Sequence, residues 1–385
     1  MIAGLIVGAL FATTTASGIP QYRRSLEIVS MRAVVEEIGP INSSVHINTS
    51  WVPLADEDRQ LTDESVFSAI DTHLGELVEG SGRLVKSRIH WWGWLETGLR
   101  TDSLASQSSF QYIENIDDHV EYIEGIAPTD SVTNVDGKPA IEVAIEHDRA
   151  KHLRISIGDV IDSQSVDGGT GLVRAIVTGT FTPTDLGERF WMELGEAYLS
   201  PSIEGREQPL IMLPTSNSMF TLVAEANAGL PASYDWFFFI DQTLLADMSI
   251  AELETTFDDL ADQLENTVAR PFVITELIPR VETMKQRALF GSIPLLLMTL
   301  LTLACVAFYL TMAAGLLGRK RINGYMMLRS RGFNVKQQLG IHAIGAAIVS
   351  IPAAIVAPLV STLVIAVIGY LPAYNSITNG STMPV

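Results

Sequence analysis

The last hundred residues of this chain, Gln286 to Val385, contain no aspartate or glutamate. All 44 carboxylate side chains lie at or before Glu282, and 18 of the 25 basic residues precede Gln286. The first part therefore carries a net charge of −26 and the tail +7. A single water-soluble fold spreads both signs over its surface, so a segregation this complete means two different solvents. An acidic domain of this size repels phosphate backbones, which excludes nucleic acid as a partner. The one cysteine, Cys305, lies in an apolar run, so no disulfide forms within the chain and the acidic part must rest on a packed core.

Ala288 to Gly318 is uncharged and rich in leucine, alanine, methionine and phenylalanine. A helix needs roughly 20 such residues to cross about 30 Å of hydrocarbon, so the run predicts a membrane span over 288–318. Leu339 to Tyr370 predicts another over 339–370, kinked at Pro352 and Pro358, with His342 as an interfacial residue near its end. Gly345, Ala346, Ala347, Ser350 and Ala353 offer that span a face that a second helix can approach closely.

The N-terminal run leaves two readings open. A cleaved signal peptide would use the small residues near Thr14 and Ala16 but lacks a basic start. A span over 1–22, ending at Tyr22 before Arg23 and Arg24, is the preferred reading. The loop between the later spans, 319–338, holds six basic residues and no acid, which places it in the cytoplasm and the acidic domain on the opposite side. The expected architecture is an α-helical transmembrane bundle of three visible spans in the cell membrane. A large α+β extracytoplasmic domain, 25–282, is inserted between spans 1 and 2, and a short tail, 371–385, follows the last span.

Within that domain, periodicity predicts a helix over 25–38 closed by Gly39-Pro40, and a strand over 41–52. A helix is expected over 61–78 with Val66, Ile70, Leu74 and Leu77 on one stripe. Strands are expected at 141–145, 172–181, 209–212, 236–240 and 271–274, with a Gly158-Asp159 turn. A helix over 250–268 aligns Leu253, Phe257, Leu260, Ala261 and Leu264.

No phosphate-binding glycine loop, nucleophile elbow or zinc-binding His-Glu-x-x-His helix is present. Glu146, His147, Asp148 and His152 form the densest set of metal-ligand types, at a spacing that suits a polar turn better than a metal. The chain is expected to carry no catalytic residue, cofactor or metal. Trp91, Trp92 and Trp94, beside His90, are read first as core packing, with a binding surface as the other reading.

The basic loop carries a further pattern, Gly318-Arg319-Lys320-Arg321 followed by Leu328-Arg329-Ser330-Arg331-Gly332-Phe333. It resembles the cytoplasmic segment of FtsX-like permeases of ATP-binding cassette systems. Ile157-Gly158-Asp159-Val160, then Val177 to Pro183 and Trp191, is similar to the periplasmic core domain of MacB-type members. The family carries an acidic residue at the position that an ungapped match gives to Gly324. It also has a fourth span, for which Tyr374 to Val385 is too short and polar, so the chain is expected to be part of a longer permease.

The resemblance implies a coupling helix that docks on a separate ABC ATPase subunit. That subunit binds the ATP, and a second permease copy or half completes the complex. Arg319, Lys320, Arg321, Arg329 and Arg331 would meet acids of the ATPase or the headgroups of membrane lipids, unless they serve topology alone. Met326, Met327, Leu328 and Phe333, with the turn at Gly332, would supply the apolar contacts. The implied function is a permease that couples ATP hydrolysis elsewhere to movement of its outer domain, exporting or extracting an amphiphile, lipoprotein or drug-like compound. The alternative is a transducer that activates an extracytoplasmic partner such as a cell-wall hydrolase. A membrane-tethered sensor without any ATPase is a third reading.

Overall fold

The computed structural model describes residues 2–99, 106–167, 171–194, 202–203, 206–283, 286, 297, 299–309, 311–312, 315–316, 319, 334–368, 370 and 382–383. Its contacts fall into two units: Met1–Glu37 with Ala246–Ile250 and Pro279–Val385, and Ile38–Leu245 with Ala251–Ile278.

The first unit opens with α1 (Ile2–Asn42). The expected span and the helix expected over 25–38 are one continuous element, because no residue between them breaks helical geometry. Gly39 does, at φ 73° and ψ 172°, a conformation that costs glycine little.

The second unit is mixed α and β. Its first elements are β1 (Val45–Pro53), α2 (Asp56–Leu74), β2 (Val78–Lys86), β3 (His90–Trp94), β4 (Gln107–Ile113), β5 (Val120–Gly125), β6 (Val132–Val135) and β7 (Lys138–Glu146). Then come α3 (His147–Leu153), β8 (Val160–Ser165), β9 (Leu172–Pro183), α4 (Arg189–Leu194), β10 (Ser202–Ile203), β11 (Arg206–Glu207) and β12 (Leu210–Pro214). They are followed by α5 (Ser216–Ser218), a π turn (Met219–Val223), α6 (Ala224–Ala226), β13 (Pro231–Ile240), α7 (Gln242–Asp247), α8 (Ile250–Thr267) and β14 (Phe272–Ile274).

Two substructures emerge from the pairing. Strands β2, β13, β1 and β14 lie side by side in that order, every pair antiparallel. With α2 and α8 they make a β-α-β-β-α-β layer, the split βαβ arrangement of ferredoxin-like folds. Where that motif has a short link between its second and third strands, this chain carries residues 87–230. The inserted strands close on themselves in the order β4-β12-β7-β9-β8-β3-β4, a six-stranded barrel. Strand β4 belongs to both parts, pairing β3 and β12 at one end and β2 at the other through Leu84–Ile113, Val85–Tyr112 and Lys86–Gln111.

Alternation places the core. Val45 and Ile47 of β1 and Tyr234, Trp236 and Phe238 of β13 are almost fully buried on one face. Val66, Ile70 and Leu74 of α2 and Leu253, Leu260 and Leu264 of α8 are buried as their spacing predicts. Burying a large apolar side chain contributes about 1.5–3 kcal/mol, so these residues hold the layer without a disulfide.

Several expectations need correction. The first strand starts at Val45, because Pro40 to Asn42 complete α1 beyond Gly39. The region 78–125, left without elements by periodicity, forms β2 to β5; in β4 and the second half of β2 consecutive residues are buried, which removes the alternation. In β3, Trp92 is buried while Trp91 and Trp94 are half-buried, and the Trp92 and Trp94 rings meet edge-on at 5.7 Å. The packing reading of the tryptophans holds.

Between those rings Gly93 packs against backbone, and a Cβ there would stand 2.0 Å from the Gly98 carbonyl oxygen. Gly93→Ala is therefore expected to lower stability by about 1–3 kcal/mol, as overpacking does. Denaturant titration of the purified chain, followed by tryptophan fluorescence, reads that loss directly.

Candidate functional site

Of the residues expected to contact the ATPase, Arg319 lies among the described residues, in a helical conformation. Lys320, Arg321, Met326, Met327, Leu328, Arg329, Arg331, Gly332 and Phe333 lie outside them. The last residues of the expected 319–338 loop are already helical: α9 (Val335–Ile368) begins there and continues through Pro352 and Pro358. Its part Ser350–Ile368, with mean hydropathy 2.5, is the one helix among the described residues long and apolar enough to cross a membrane. Thr299–Tyr309 is a shorter apolar helix.

Within the first unit α9 packs on α1 along one stripe. Ala353, Ala357, Ser361 and Ile365, four residues apart, are buried, while Ile351, Ile355, Leu359 and Leu363 are exposed. Small side chains on the stripe let the helices approach: the Ser361 Cβ lies 3.5 Å from where Gly18 would carry one. The Ser361 hydroxyl faces Gln21 Oε1 at 2.7 Å, and Ser17 Oγ lies 3.3 Å from it. Thr13 Oγ1 reaches the Ala353 carbonyl at 3.5 Å, and Val29 packs with Ile365. Contacts thus run from 13 opposite 353 to 29 opposite 365, so the two helices are parallel. Of the small-residue face expected on this helix, Ala353 takes part and Ser350 is exposed. The seam lies further along because a four-residue spacing, and not local richness in alanine, keeps side chains on one line.

In the α+β unit the charged groups gather at the junction of layer and barrel. Asp63 of α2, 7% exposed, accepts from Arg59 Nη1 at 3.0 Å, from Trp236 Nε1 at 2.9 Å and from Arg83 Nη1. Arg83 Nη2 also donates to Glu114 at 3.4 Å, and its guanidinium stands 5.8 Å from the Tyr112 ring. Arg59 sits 4.5 Å over the Phe220 ring, itself edge-on to Tyr112 at 5.7 Å. Burial of so many charges is tolerable because each guanidinium has a carboxylate. No sequence motif marked this hub, because Arg83 lies in a strand of mixed polarity beside Glu79 and Lys86.

His90, on β3, is fully buried inside the barrel. Asn227 Nδ2 donates to the Val223 carbonyl at 2.8 Å, so Asn227 Oδ1 is free to accept from His90 Nε2 at 3.1 Å. Nε2 is therefore the donor, and Nδ1 has no partner among the described residues. Burial pushes the ring's pKa down to about 4, against a smaller opposing effect of the Asn227 hydrogen bond.

The Glu146–His152 cluster, read from the sequence as a polar turn, is the start of α3 with Glu146 as its cap. Glu146 accepts from the backbone N–H groups of Asp148 at 2.9 Å and Arg149 at 2.6 Å, and His147 Nδ1 lies 3.1 Å from Thr180 Oγ1. No group of three metal-ligating side chains occurs among the described residues. One open cleft of about 550 Å³ is lined by Thr129, Asp130, Thr215, Asn217, Phe220 and Thr221, with no basic residue at its wall.

No protein-family model and no curated relative matches the chain. Among solved structures it is similar to the periplasmic region of MacB from Actinobacillus actinomycetemcomitans, at 13% identity and a TM-score of 0.34, covering 66% of this chain and 97% of that one. It is similar as well to a domain of a putative permease protein from Porphyromonas gingivalis, at 13% identity and a TM-score of 0.30, covering 61% and 90%.

Proposed function

We propose that this chain is the membrane subunit of an ABC-type permease, whose α+β domain lies outside the cytoplasm and is moved by an ATPase bound at the 319–338 loop. The observation that carries the reading is the parallel pairing of α1 and α9. Taking the start of α1 as the span expected over 1–22, two parallel helices in one bilayer have their N-termini on the same side, so the chain between them must cross back an odd number of times. The uncharged run 288–318 supplies one such crossing. The basic loop, which leads into α9, then shares a side with the start of α1, and the acidic domain, which follows α1, lies on the other. Charge asymmetry points the same way, since arginine and lysine stay cytoplasmic.

The chemistry of such a subunit is mechanical. Differential binding of nucleotide states by the ATPase shifts the permease between conformations, and no side chain of this chain has to form or break a bond. The sequence resemblance at Arg319 to Phe333 supports an ATPase as the driving partner, and the cargo class is an amphiphile, lipoprotein or drug-like compound.

Topology is tested in a Cys305→Ser background with single cysteines at Thr133 or Lys336. A membrane-impermeant thiol reagent on intact cells is expected to label the first and spare the second until the membrane is permeabilised. The opposite pattern would remove the proposal. Purification of the tagged chain from its native membrane should bring a nucleotide-binding subunit with it, and its consistent absence would leave a sensor in place of a permease.

A further inference from the structure

The barrel and the β-α-β-β-α-β layer meet along the β2–β4 seam, and the two sides of that seam are built differently. On the sheet face away from α2 and α8, Leu84 and Phe237 bury against Ile113, Phe181, Trp191 and Leu213. Opening that side would expose apolar surface to water, at roughly 25 cal/mol for each Å². On the helix face the contacts are Arg83 to Glu114, Arg83 near Tyr112, and Arg59 over Phe220. Guanidinium groups lose little when water replaces a ring or a distant carboxylate.

The element that closes this second side is the stretch from Ser216 to Asn227. Thr215 caps its start by accepting from Ser218 N at 3.2 Å, while its own hydroxyl donates to Asp130 at 2.5 Å. Its far end is held in the barrel by Asn227 on His90. Between these points the helix is wound as a π turn, a rare form that is frequent at functional sites. The wide turn puts Met219, Phe220 and Val223 all inward, and Phe220 alone among them reaches Arg59 and Tyr112.

We infer that Ser216–Asn227 is a strap that sets the angle of the barrel on the layer, and that the α+β unit opens by rotation about the β2–β4 seam when Phe220 leaves Arg59. The apolar side stays closed as the pivot. Such a joint lets force applied at the layer change the barrel's direction without unfolding either part. It does not depend on the permease reading, because its evidence and its test lie within this unit.

The test is a distance measurement on the full-length chain in lipid nanodiscs. In a Cys305→Ser background, nitroxide labels are placed at Ser68 on α2 and Thr133 on β6, both exposed and outside the strap. The parent is expected to give one dominant distance. Phe220→Ala should shift a large share of molecules to a second, distinct distance while the β-sheet signal in circular dichroism stays. Arg59→Gln, which leaves the core residues in place, should produce the same second distance in smaller amount. An unchanged single distance in Arg59→Gln, together with an unchanged or structureless Phe220→Ala, would overturn the strap.

Discussion

Asp63→Ala is expected to lower the stability of the α+β unit by about 3–5 kcal/mol, the usual cost of removing one partner from a buried charge pair. The reason is arithmetic of charge in a site closed to water. Arg59 and Arg83 both donate to Asp63 Oδ2, and their side chains are only 15% and 10% exposed. Without the carboxylate, two guanidiniums face each other, and Trp236 Nε1 loses its acceptor. Asp63→Asn keeps an oxygen for Trp236 but not the charge, so its loss should be smaller. Asp259 on α8 is exposed, and its alanine variant should change stability by no more than about 0.5 kcal/mol. Guanidinium titrations of the three variants in detergent check the order; equal midpoints for Asp63→Ala and Asp259→Ala would show that the hub contributes nothing.

Acid should weaken the barrel through His90. Its folded pKa is depressed to about 4 from 6.5, so in the unfolded chain the ring binds a proton more readily than in the fold. Protonation therefore favours unfolding: the contribution of the neutral ring is fully present above pH 6.5 and is lost progressively as pH falls toward 4. The difference is worth about 3 kcal/mol, at 1.36 kcal/mol for each pKa unit. Ordinary carboxylate pKa values lie at the lower end of this window, so the comparison that matters is with His90→Gln. That variant should show a shallower fall in stability between pH 6.5 and 4.5 than the parent, whatever its stability at pH 7. Identical slopes would mean that His90 is not buried neutral.

Much of this architecture was legible in the residues. Charge segregation alone separates a lipid-compatible tail from an acidic domain, because hydrocarbon excludes carboxylates more strongly than any local preference can oppose. Periodicity located α2 and α8, which each bury one face, and runs of apolar residues located β7, β9 and β13, where consecutive residues are buried. Of the three clustered tryptophans, whose core-packing reading came from alternation alone, Trp92 is buried and Trp91 and Trp94 are half-buried.

Other features were decided only by tertiary contact. Strand β4 and the second half of β2 carry no alternating mark because both of their faces are covered, and which strands close into a barrel depends on pairings far apart in sequence. Asp63, Arg83 and Glu114 look like ordinary surface charges until α2 is laid on β2 and β4. The seam of Ser17, Gln21 and Ser361 joins residues some 340 positions apart. Burial and hydrogen bonding between distant segments are properties of the packed chain, and a linear pattern records only what each segment needs from its own neighbours.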